Sequence, residues 1–111
     1  MIDVPQAAEI IATYRKYGWI LRRILLTNPE TGALLAKSTD LGEATIVLAP
    51  IDAAWFSRPP KEGPVPWEIR YLGKTPFALL ESLSEKEADF EYLLSATEAR
   101  LRESIAAKEA S

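Results

Sequence analysis

A chain of 111 residues that is 48% apolar and 26% charged has the size and composition of one globular domain with a packed core. With a formal charge of −3 it lacks the basic excess of a dedicated nucleic-acid or anionic-membrane binder. It contains no cysteine and no histidine, which excludes disulfides, thiolate nucleophiles and zinc ribbons, together with the commonest general base and transition-metal ligand.

The first predicted element is a helix over about residues 4–17. Asp3 is its N-cap, Pro5 sits in the first turn and Gln6 is placed to complete a capping box. Ala7, Ile10, Ile11 and Tyr14 form its apolar stripe, and Gly18 ends it. Trp19–Leu26 reads as a strand apolar on both faces, hence central in a sheet. Asn28-Pro29 reads as a helix start, and a short helix through Ala33, Leu34 and Leu35 should end near Lys37, although Gly32 weakens it.

Thr45–Leu48 is a β-branched strand interrupted at Pro50. Ala53–Arg58 is a further strand, or the same one resumed past a bend. Pro59–Pro64 is a loop. Its prolines and Pro66 include no pair three apart, so it contains no P-x-x-P core. Trp67–Leu72 and Phe77–Ser82 are read as strands on either side of a turn at Gly73-Lys74.

The last helix is expected to start at Ser84, with Ser84 and Glu87 forming a capping box. Phe90, Leu93, Leu94, Leu101 and Ile105 make its stripe, Glu98 and Arg102 an i,i+4 pair, and residues from about 107 a frayed tail. The whole is an α+β domain: a small antiparallel or mixed sheet of about four strands, an N-terminal helix, a short helix after the first strand and a long C-terminal helix.

Charge is unevenly spread: residues 75–111 hold eight acidic and four basic side chains, so the acidic excess lies in the C-terminal third. The start, Met1-Ile2-Asp3-Val4-Pro5, lacks the pattern of a signal peptide, and no apolar run approaches the roughly 20 residues that span a bilayer. A cytoplasmic protein without membrane attachment is the expectation.

If residues 53–58 and 67–72 pair as a hairpin, alternation sorts them into two faces. Trp55, Trp67, Ile69 and Tyr71 share one, most simply as core. Asp52, Phe56, Arg58, Glu68 and Arg70 share the other. This second group is the candidate binding surface, since exposed arginine and aromatic residues make interaction hot spots. A solvated face with cross-strand ion pairs is the preferred account of it, because such pairs are common and weak.

Arg15, Lys16, Arg22 and Arg23 lie close in sequence among Tyr14, Tyr17 and Trp19. Strand alternation sends Arg22 and Arg23 to opposite faces, so they need not form one patch, and nucleic-acid binding is not expected. Glu87 and Glu91 could share a divalent cation, but helix-dipole complementation explains them without one. No phosphate loop, dinucleotide fingerprint or nucleophile elbow is present, and neither a cofactor nor a catalytic residue is expected.

Three functions fit. The first is a non-catalytic protein-interaction domain, an adaptor, chaperone-like or regulatory protein, whose partner is another protein or a second copy in a homodimer. The second is a small-molecule-binding domain using arginines for an anionic ligand. The third is an enzyme relying on carboxylates. The first is preferred because Trp19, Ile20, Leu21, Phe56, Phe77 and Leu79, among others, must all find cover from few helices.

Overall fold

The computed structural model describes residues 2–60 and 62–110. Its elements run in the order α1 (Val4–Lys16), β1 (Ile20–Leu26), α2 (Glu30–Ser38), β2 (Thr45–Leu48), β3 (Ala53–Ser57), β4 (Val65–Tyr71), β5 (Ala78–Leu83) and α3 (Phe90–Glu109). The five strands form one mixed sheet in the order β2-β1-β3-β4-β5. β1 and β2 are parallel, with α2 as their crossover, and every other neighbouring pair is antiparallel. This is the α+β class expected from the sequence. Ala49–Asp52 carries the chain from one side of β1 to the other, so β2 and β3 are separate strands.

Local chemistry explains the helix starts. The Asp3 carboxylate accepts a hydrogen bond from the Gln6 amide at 3.1 Å. Gly18 takes φ +89° just beyond α1, a conformation that side chains resist. The Asn28 side chain accepts from the Glu30 amide at 3.0 Å, with Pro29 already at helical dihedrals. Gly32 does not break α2. It is buried, and a Cβ there would stand 2.9 Å from Ile46 Cδ1, so the missing side chain lets α2 lie close to β2.

The sheet separates two apolar clusters. On one face α1 and α2 cover Leu21, Ile24, Leu26, Ala54 and Phe56 with Ala7, Ile11 and Leu35. On the other, α3 lays Phe90, Leu94, Leu101 and Ile105 over Trp55, Trp67 and Ile69. All five residues of β3 are buried, because this strand lies at the centre with helices on both sides. Most of the apolar supply is therefore covered within the chain. Among the described residues no helix is long and apolar enough to cross a membrane.

Two expectations for the last helix are corrected. It begins at Phe90, not Ser84, and the Ser84/Glu87 capping box does not form. Ser84–Asp89 is instead a turn in which the Glu87 amide donates to the Ser84 carbonyl at 3.0 Å. The turn delivers Glu85 to Arg22 and seats the Phe90 ring 5.2 Å from Trp67, contacts that local periodicity does not encode. Glu98 also turns away from Arg102, because the Trp55 indole N–H donates to it at 2.8 Å. The helix runs to Glu109.

Candidate functional site

The hairpin pairing expected from alternation is present, with Phe56 opposite Glu68 and Trp55 opposite Ile69. Yet Asp52, Phe56, Arg58, Glu68 and Arg70 do not make one open surface, because α1 crosses the face of the sheet that carries Phe56, Glu68 and Arg70. Phe56 is fully buried and stacks on Tyr14 at 4.2 Å. Glu68 accepts a hydrogen bond from the Tyr14 hydroxyl. Burial and then Glu68 raise the Tyr14 pKa well above that of an ordinary tyrosine.

Asp52 has an architectural role. Its carboxylate accepts from the Thr27 amide at 2.9 Å and from the Thr27 hydroxyl, tying the end of β1 to the start of β3. Arg58 is exposed and lies over the Trp19 ring at 5.5 Å. Arg70 lines a shallow hollow with Gln6, Glu9, Ile10, Thr13 and Tyr14, and its Nε donates to the Tyr71 carbonyl at 3.0 Å. Arg58 and Arg70 do not share a cleft.

A different group of arginines does. β2 pairs with β1 only along Arg23–Leu26, so Ile20–Arg22 has no strand on that side. The sheet edge is notched there. Against β3, Leu21 faces Phe56 while Arg23 faces Trp55, so two steps along β1 match one along β3. This is a β-bulge with Arg22 as the extra residue. The bulge cancels the alternation that would have separated Arg22 from Arg23, and both reach the α3 side.

Arg22 lies over the Trp67 ring at 4.8 Å, donates to the Ser57 hydroxyl at 3.1 Å and pairs with Glu85 at 2.8 Å. Arg23 forms a two-pronged pair with Glu91 at 2.6 and 2.9 Å. That pairing lowers the Glu91 pKa and raises that of Arg23. Arg15, from the last turn of α1, completes a cleft of about 510 Å³ walled by Leu41–Glu43 and floored by Trp67 and Phe90. Sequence reasoning noticed these arginines but separated them, because nothing in the local sequence announces the bulge.

Two buried indoles complete the α3 side. Trp55 finds Glu98, whose pKa is raised chiefly by burial, with the indole hydrogen bond opposing the shift. Trp67 Nε1 is buried without a hydrogen-bond partner among the described residues. Among the described residues no three acidic side chains gather to hold a cation. Glu91, one of the two carboxylates considered for that role, is engaged by Arg23.

The sheet has two free edges, β2 and β5. β5 carries Glu81, paired with Arg100 of α3. β2 is Thr-Ile-Val-Leu without a charge, and its Ile46 and Leu48 are 44% and 68% exposed. Comparison with protein-family models, curated proteins and solved structures gave no match, so a functional reading rests on this geometry alone.

Proposed function

We propose that the protein is a non-catalytic interaction domain that acts through the free edge of β2, and that its partner there is a second copy of the same chain. The observation that carries this reading is an uncharged edge strand whose two large apolar side chains, Ile46 and Leu48, stand in solvent. An open edge offers unpaired backbone groups to another strand, and proteins normally guard such edges with charge, proline or a covering element. β5 has its Glu81–Arg100 pair, whereas the four residues of β2 carry neither charge nor proline.

Self-pairing suits the sequence of β2. A two-fold axis perpendicular to the sheet and passing by Val47 sets Ile46 of one copy against Leu48 of the other and makes one ten-stranded sheet from the two five-stranded ones. No like charges meet within the paired strands of a chain whose net charge is −3.

Light scattering on size-exclusion eluate across a concentration series tests this. The expected result is a mass near twice 12.3 kDa, returning to the monomer in the Ile46→Lys/Leu48→Lys variant with its circular dichroism unchanged. A wild-type protein that stays monomeric throughout the series overturns the proposal.

A further inference from the structure

Three arginines, Arg15, Arg22 and Arg23, line one cleft of an acidic protein together with Glu43 and Glu85. Glu85 pairs with Arg22 and Glu91 with Arg23. The two glutamate side chains are 53% and 69% exposed, so these ion pairs are screened and easily exchanged. Among the described residues Arg15 meets no carboxylate at all. A guanidinium fork matches the oxygens of carboxylate and phosphate two at a time, which a lysine cannot do. The cleft is also of ordinary ligand-binding size, with apolar walls from Trp67, Phe90 and Ile20 beside its polar groups.

We infer that the notch beside Ile20–Arg22 binds a small ligand carrying two or more negative charges, of the phosphate or carboxylate class. Its oxygens replace the Glu85 and Glu91 carboxylates on Arg22 and Arg23 and bridge to Arg15. In the free protein the two glutamates occupy the arginines as internal stand-ins. Their displacement also frees the Ser84–Asp89 turn, since Glu85 belongs to it. This inference is independent of the β2 pairing.

The competing account gives the two ion pairs a purely architectural role, fastening the β5–α3 connection to β1. The two accounts disagree about Glu85→Gln. If the glutamate only fastens, the variant loses stability and gains no ligand. If it competes with a ligand, the variant binds more tightly.

The experiment is calorimetric titration of the full chain at low ionic strength with pyrophosphate and, separately, with citrate. Saturable one-to-one binding of at least one probe is expected, and the preferred probe assigns the ligand to the phosphate or the carboxylate class. Glu85→Gln should tighten binding by about three- to tenfold, Arg15→Gln should weaken it by about tenfold, and Arg22→Gln should abolish it. Arg15 lies at the end of α1 and forms no ion pair among the described residues, so its variant remains decisive if Arg22→Gln fails to fold. The inference is overturned if neither probe binds the wild-type and Glu85→Gln proteins, if a folded Glu85→Gln protein binds no more tightly than the wild type, or if a folded Arg15→Gln protein binds as the wild type does.

Discussion

Against α1 the sheet presents Phe56, stacked on Tyr14, whose hydroxyl donates to Glu68. Against α3 it presents two tryptophans, each carrying a donor into the interior. Trp55 reaches Glu98, and Trp67 finds no hydrogen-bond partner among the described residues. The faces bury comparable apolar clusters but place their polar groups differently. On the first, polar chemistry stays at the margin. On the second it lies inside, beneath α3 and next to the arginine cleft. Rings alone do not set the electrostatic character of a core; the hydrogen-bonding atoms they carry, and where those atoms end up, decide it.

The largest test of this contrast removes packing from each side in turn. Ile11→Ala on the α1 side and Leu101→Ala on the α3 side should each cost about 2–5 kcal/mol, because both residues are fully buried. Urea unfolding followed by tryptophan fluorescence, which reports mainly on the α3 side, and by far-ultraviolet circular dichroism should give coincident transitions in both variants. Separate transitions would mean that the faces unfold independently.

Glu98 gives the next effect. Glu98→Ala leaves the Trp55 indole N–H buried without an acceptor, a loss of about 1–3 kcal/mol. Glu98→Gln keeps an acceptor and removes the half-buried charge, so its melting temperature at neutral pH should equal or exceed that of the wild type. The pH dependence follows from the raised pKa of Glu98. Its contribution to stability is present below the ordinary carboxylate range and is lost as pH rises through the folded-state value. The wild type should therefore gain on Glu98→Gln as pH falls. A gap that widens towards acid in favour of Glu98→Gln would refute the assigned cause.

Tyr14→Phe probes the other face at its margin. It removes the hydroxyl that donates to Glu68 but leaves that carboxylate partly exposed to water. The expected loss is about 1 kcal/mol by thermal denaturation, smaller than for Glu98→Ala. A larger loss would place this pair in the interior with Trp55 and Glu98. Smallest is Gly32→Ala, where the helix gains by roughly the 1 kcal/mol that separates glycine from alanine. Ile46 Cδ1, the mobile end of an exposed side chain, must move aside in response. A net change within about 0.5 kcal/mol is expected in a denaturant melt.

Much of this layout is legible in the chain because it depends on neighbours. Asp3, Asn28 and Gly18 mark helix ends through bonds and dihedrals spanning a few residues. The alternation in 53–58 and 67–72 places Phe56 and Glu68 on one face because a strand repeats every two residues, and the register then sets them opposite each other. What escaped the sequence depends on distant partners. Nothing near Arg22 signals that β1 bulges against β3. Ser84-Glu-Lys-Glu87 is a sound capping box taken alone, but Arg22 and Trp67, far away in the sequence, draw Glu85 and Phe90 into other contacts. Of the five residues grouped as a binding surface, Phe56, Glu68 and Arg70 lie on the α1 face, as alternation requires, whereas Asp52 precedes β3 and lines a hollow with Arg102 and Ile105 of α3. Alternation carries no information about which helix comes to lie on that face.

The position of α3 after every strand has a bearing on synthesis. A ribosome releases all five strands, together with the two helices that cover one side of them, before the helix that covers the other. For that interval Trp55, Trp67 and Ile69 face the surrounding medium, and the nascent chain has the kind of bare apolar surface that draws aggregation or chaperone capture. A ribosome-bound chain ending before Phe90 should bind hydrophobic dyes and holding chaperones, and should lose that affinity once Leu101 and Ile105 have emerged to close over the tryptophans.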